Sequence, residues 1–105
     1  MAGFPELLAN CTGFQWDPGN ADKNWEAHDV SQAESEQVFF NRPVVVAPDV
    51  AHSDREPRYA ALGKTTAGRR LSVVFTIRGT LVRVISSRDM GRRDRRLYAA
   101  VEAAQ

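Results

Sequence analysis

A single α+β domain, with helices packed on a meandering antiparallel sheet, is what this sequence of 105 residues predicts. Three features carry that prediction. Two helix-start signals, Asp17-Pro18 and Ser31-Gln32-Ala33-Glu34, lie close together in the first half. Two runs rich in β-branched residues, Leu71 to Arg78 and Thr80 to Arg88, are separated by little more than Gly79, a hairpin signature. The tail from Gly91 to Ala104 then returns to helical spacing. Helices and strands grouped in separate runs favour α+β over alternating α/β layers.

Residues 1–12 show no firm period and are expected to form a loosely ordered extension, leaving 13–105 as one domain. Phe14-Gln15-Trp16 alternates apolar and polar, as a short strand does. Asp17 then suits an N-cap, and Pro18 at the first helical position gives up no needed donor. Ala21, Trp25 and His28 recur at i, i+4 and i+7, which predicts a short amphipathic helix with these three on its apolar stripe. Ser31 and Glu34 form a capping box that opens a second helix through Val38, Phe39 and Phe40. It should stop before Arg42-Pro43.

Val44 to Val46 reads as a strand and Pro48 to Pro57 as a polar loop. Arg58 to Lys64 fits a further strand, ended by Thr65-Thr66-Ala67-Gly68. In the last strand simple alternation groups Val82, Val84 and Ser86 with Arg88, and Leu81 and Ile85 with Arg83. Both groups contain apolar residues, so parity leaves open which arginines face outward. Leu97, Val101 and Ala104 mark an apolar stripe on the tail helix. Helices would cover one face of the sheet and leave the other available.

Charge is split along the chain. Residues 1–54 hold two basic and nine acidic side chains, whereas 55–105 hold twelve basic and four acidic ones. Of those twelve, only Lys64 is a lysine. The guanidinium fork matches phosphate oxygens, so the second half points to nucleic acid rather than to a membrane surface. The lone Cys11 excludes an internal disulfide, and no clustered ligands suggest a metal or another cofactor. With no signal peptide and no bilayer-length apolar run, a cytoplasmic address without membrane contact is expected.

Several spacings coincide. Phe14-Gln15-Trp16-Asp17-Pro18, Lys23-Asn24 and His28-Asp29-Val30-Ser31 form one block. Val38-Phe39, Asp49-Val50-Ala51-His52-Ser53 and Glu56-Pro57-Arg58 follow. Gly68-Arg69-Arg70-Leu71-Ser72-Val73-Val74-Phe75-Thr76-Ile77-Arg78, Arg83-Val84-Ile85-Ser86-Ser87-Arg88 and Arg92-Arg93-Asp94-Arg95-Arg96-Leu97-Tyr98 complete the series. In this order the chain resembles the BrnT family of ribonuclease toxins over residues 14–98. Ala27-His28-Asp29 stands where the family usually has Lys-His-Gly, Ser86-Ser87-Arg88 where it has Ser-Ala-Arg, and Asp94-Arg95 where it has Glu-Arg.

The resemblance implies a RelE-like fold, with two N-terminal helices on one face of an antiparallel sheet and a C-terminal helix. It implies translation arrest by RNA cleavage. It also implies neutralisation by a BrnA-like antitoxin with a ribbon-helix-helix domain, operator DNA being bound only through the complex. A non-catalytic nucleic-acid- or protein-binding module on the same scaffold is the alternative.

Metal-free cleavage of RNA needs a base for the 2′-hydroxyl proton, an acid for the leaving oxygen and cations for the phosphorane. Arg58, Arg83 and Arg88, each in or at the end of a strand, are the candidates for the cationic role, with Arg69 and Arg78 next as RNA contacts. Each could instead be a surface charge on a sheet edge. His52, beside Ser53 and Glu56, could carry a proton or simply bond Asp49 or Asp54. His28 falls near a helix end, a structural position for a cation. Glu56 could act as base or fix Arg58 by an ion pair. Trp16 and Tyr98 are candidate RNA contacts; the first could equally be core, the second a proton donor or a cap on the last helix. Arg92, Arg93, Arg95 and Arg96 could grip RNA or meet an acidic antitoxin segment.

Overall fold

The computed structural model describes residues 5–52 and 55–105. Five strands and three α-helices follow in the order β1 (Gly13–Gln15), α1 (Pro18–His28), α2 (Gln32–Phe40), β2 (Val45–Pro48), β3 (Tyr59–Lys64), β4 (Arg70–Arg78), β5 (Leu81–Asp89) and α3 (Arg92–Ala103). Short 3₁₀ turns occupy Glu6–Leu8 and Val50–His52. The sheet order is β1-β5-β4-β3-β2. Four strands form the expected antiparallel meander, but β1 runs parallel to β5, so the sheet is mixed. No hairpin turn ties β1 to its neighbour to dictate direction. Thr12 and Thr80, which bond where β1 meets β5, lie 68 residues apart in sequence.

Both N-terminal caps form as the sequence predicts. The Asp17 carboxylate accepts from the Gly19 N–H at 2.9 Å, and Ser31 and Glu34 cap each other reciprocally. Asp29 follows α1 in the left-handed region at φ 56°. Aspartate is among the few residues that tolerate this conformation, at a cost of about 1 kcal/mol.

Alternation separates two faces. Ala61, Leu71, Val73, Phe75, Val82 and Val84 point to the side covered by α2 and join Val38, Phe39 and Val44 in the main core. Phe39 sits edge-on to Phe75 at 5.2 Å and to Phe14 at 5.5 Å. Gly63 lets α2 approach closely: a Cβ there would meet the Val38 side chain at 2.8 Å and its carbonyl oxygen at 3.1 Å. Leu8 is buried in this same core, although the segment around it shows no firm period.

Two helices depart from the sequence expectation. The stripe of Ala21, Trp25 and His28 does not face the core: Trp25 is 56% exposed, and Asn24 is the buried residue of α1. The reason is that α1 covers the free edge of β5, where backbone polar groups need partners. Asn24 accepts from the Ser87 N–H at 3.1 Å and Asn20 donates to the Val84 carbonyl at 3.5 Å. The opposite sheet face is not left bare either. There α3 packs Tyr98 in a second small cluster with Leu62, Met90 and Val45. Its buried line is Tyr98 rather than the stripe of Leu97, Val101 and Ala104; Leu97 is 52% exposed.

Candidate functional site: an arginine-framed groove

The pairing registers decide which arginines share a face. Along β4 and β5 the pairs run from Leu71↔Asp89 to Val74↔Ser86, then resume at Phe75↔Val84. Ile85 is left over as a β-bulge, which switches the parity of the strand. Arg83 and Arg88, five residues apart, therefore project from the same face, away from α2. Arg58 joins them, because β3 alternates from Tyr59 and Ala61 on the core side.

Cross-strand rows give the layout. Thr76 pairs with Arg83, and its hydroxyl donates to the Pro57 carbonyl at 2.7 Å, beside Arg58. The Asp49 N–H donates to the Arg58 carbonyl at 2.8 Å, extending this row to Asp49. The next row is Ala47, Ala60, Val74 and Ser86, and the one beyond is Val45, Leu62, Ser72 and Arg88. Arg58 and Arg83 are thus two strands apart, about 10 Å, and Arg88 lies about 14 Å further along. Small residues floor the space between.

A groove of about 320 Å³ follows part of this floor, with Arg88, Asp49, Asp94 and Leu97 among its walls; Arg58 and Arg83 share the face but are not among the groove's lining residues. Arg88 is exposed and makes no ion pair among the described residues. Arg83 is held by Asp17 at 3.3 Å, which orients its guanidinium from the start of α1.

The other candidates are not among the groove's lining residues. Arg69 reaches from the β3–β4 turn to Asp89 at 2.8 and 3.0 Å, to Glu34 at 3.2 Å, and to the carbonyls of Asp29 and His28 at 2.7 and 3.1 Å. These five bonds engage all five guanidinium donors. The same contact with Arg69 holds the Asp89 carboxyl below the usual range, while Glu34 is lowered first by the Ser31 backbone N–H and then by Arg69. Arg78 lies at the exposed end of β4 and pairs with Glu56 at 3.2 Å. Glu56 therefore fixes Arg78. Trp16 packs against the main core on the other face and donates to Glu36 at 2.8 Å. Tyr98 is fully buried, its hydroxyl donating to the Pro43 carbonyl at 2.7 Å, and burial pushes its pKa up to about 12. His52 closes a 3₁₀ turn, but its side chain lies outside the described residues, as do Ser53 and Asp54.

On α3, Arg92, Arg93, Arg95 and Arg96 are all exposed, and the Arg95 Nε donates to the Met90 carbonyl at 2.9 Å. Gly91 gives the helix no side-chain cap. Two arginines in the first turn also oppose the helix dipole, so this cluster is not explained by helix stability. Asp49 and Asp94 were not assigned to the site from sequence. Asp49 is opposite Arg58 in the register and Asp94 is on the third residue of α3, positions that only the fold brings to one groove.

A family model described as "Ribonuclease toxin, BrnT, of type II toxin-antitoxin system" matches residues 16–94. The chain belongs to the BrnT family. Its fold is similar to the crystal structure of the Brucella abortus ribonuclease toxin BrnT, with a TM-score of 0.61 at 20% identity, over 77% of this chain and 99% of that one. No curated protein matches the sequence. A BrnT chain is by family a ribonuclease toxin of a toxin–antitoxin system, which implies an RNA target and an antitoxin partner. Among the described residues, no helix is long and apolar enough to cross a membrane.

Proposed function

We propose that this BrnT chain is a metal-independent RNA endonuclease that arrests translation, and that the arginine face is where it cuts. The observation that carries the reading is the bulge at Ile85, which puts Arg83 and Arg88 on the face shared by Arg58. Arg58, Arg83 and Arg88 hold the scissile phosphate and stabilise the charge that develops when the 2′-hydroxyl attacks it. Arg78 lies on the same face at its far end, where it extends the electrostatic track for RNA. Asp49 and Asp94 line the groove, and these two and His52 are the groups proposed to handle the proton. The topology is compatible with a RelE-like fold.

The arginines of α3 are the proposed seat of a BrnA-like antitoxin, meeting an acidic segment at the mouth of the groove. Occupation there would block RNA by competition. Operator DNA would be bound by the antitoxin rather than by this chain.

Induced expression should stop growth, relieved by co-expression of the antitoxin. Arg58→Ala and Arg88→Ala should be harmless while folded, and Arg88→Lys should restore only part of the effect, because lysine loses the two-point grip on phosphate. Purified enzyme should cut RNA equally well in a chelator. Full toxicity of either alanine variant sinks the assignment of the arginines. A folded wild type that leaves RNA intact favours the non-catalytic module.

A further inference from the structure

The polar cover that α1 lays over the β5 edge leaves one donor unanswered. Asn24 is 4% exposed, and its Oδ1 accepts from the Ser87 N–H at 3.1 Å. A backbone donor fixes which end of the carboxamide faces the strand, so the other end is the Nδ2 donor. That Nδ2 is buried and has no hydrogen-bond partner among the described residues. A buried donor without an acceptor costs stability, so this one calls for a partner from outside the fold: a water, an ion or a ligand group.

The space beside it has a consistent chemistry. Asn24 lines a recess of about 220 Å³ together with Asn20, Lys23, His28, Ile85 and Ser86. Every polar side chain in this set can donate, and none is a carboxylate. Lys23 is exposed and has no ion pair among the described residues. The acids Asp22, Glu26 and Asp29 sit beside these residues in sequence but are not among the lining, and Asp89 on β5 is held by Arg69. The recess therefore selects an anionic acceptor of about the size of a phosphate.

Its position gives that phosphate a source. Ser86 ends the small-residue row that floors the groove, so the recess opens at the edge of the arginine face. It lies between Arg83 and Arg88, the latter two residues and about 7 Å along the strand. An RNA strand crossing the floor would reach the recess one backbone step from the arginines.

We propose that this recess binds a phosphate of the RNA chain adjacent to the one held by the arginines, with the Asn24 Nδ2 and Lys23 as its donors. The proposal rests on the ribonuclease reading and adds a second phosphate subsite to it.

The test uses the whole, ¹⁵N-labelled chain and reads the Asn24 side-chain amide signals by NMR. One titration adds inorganic phosphate; another adds a 2′-O-methyl tetranucleotide, which cannot be cleaved. The oligonucleotide should move the Asn24 signals strongly and inorganic phosphate only weakly. Lys23→Gln, on an exposed side chain, should weaken oligonucleotide binding several-fold and lower its salt slope by about one. Asn24→Asp keeps an oxygen for the Ser87 N–H but opposes phosphate, and should weaken binding further.

Asn24 signals that stay still while Arg88 and its neighbours shift would mean a water-filled recess. That overturns the subsite and leaves the ribonuclease reading intact. A response to inorganic phosphate alone would mean a free-anion site and would equally overturn the RNA subsite. A chain that neither binds the oligonucleotide nor cuts RNA removes both readings together.

Discussion

Replacing Arg69 by alanine separates a structural arginine from an RNA-binding one. The side chain is 27% exposed, so its contacts are only partly screened. Two of its bonds go to carbonyls at the end of α1, each charge-assisted and contributing about 1 kcal/mol. The pairs with Asp89 and Glu34, whose side chains are 52% and 30% exposed, contribute about 0.5 kcal/mol each. Together they give about 3 kcal/mol, or roughly 12–24 °C in Tm for a domain of this size. Arg69→Lys should recover only a minor part, since an ammonium cannot reach five acceptors on two helices and a strand. Thermal denaturation followed by circular dichroism, in an Arg88→Ala background to silence toxicity, gives the readout. A drop below about 3 °C, or lost RNA binding at an unchanged Tm, would refute the clamp.

Acid should unfold the protein through the same clamp. Asp89 and Glu34 titrate below their ordinary range in the fold, so their contribution is complete above that range and disappears as pH falls through the depressed values. Tm should fall steeply below about pH 4 in wild type and less steeply in Arg69→Ala; parallel profiles would contradict this. Gly63→Ala should cost about 1–3 kcal/mol, measured by urea unfolding, because its Cβ meets backbone of α2 as well as a side chain. Asp29→Gly should raise stability by about 1 kcal/mol in the same assay, since glycine removes the left-handed strain while the carbonyl that Arg69 uses remains.

Local signals were legible in the sequence wherever chemistry and position coincide within a few residues. Asp17-Pro18, the Ser31–Glu34 box and Gly79 each mark a boundary that the fold uses. Long-range partners were not. The direction of β1 depends on a strand nearly seventy residues away, and α1 buries an asparagine because an exposed strand edge, invisible in the helix itself, needs its amide. The amphipathic pattern of Ala21, Trp25 and His28 carried no information about that edge. The site was half legible: arginine content pointed to a phosphate-binding face, but which arginines share it depended on one unpaired residue. Arg69, with the same composition signal as Arg88, is claimed entirely by its neighbours.

That unpaired residue has a consequence for how the strand can change length. Deleting Ile85 would turn the β4–β5 ladder into a regular one with Arg83 and Arg88 still on their common side, because the residues flanking it already alternate as an uninterrupted strand would. Inserting a further residue elsewhere between them would not. What Ile85 supplies is therefore curvature, together with a wall of the recess beneath α1. A chain one residue shorter at this point would keep the arginine face on a flatter sheet.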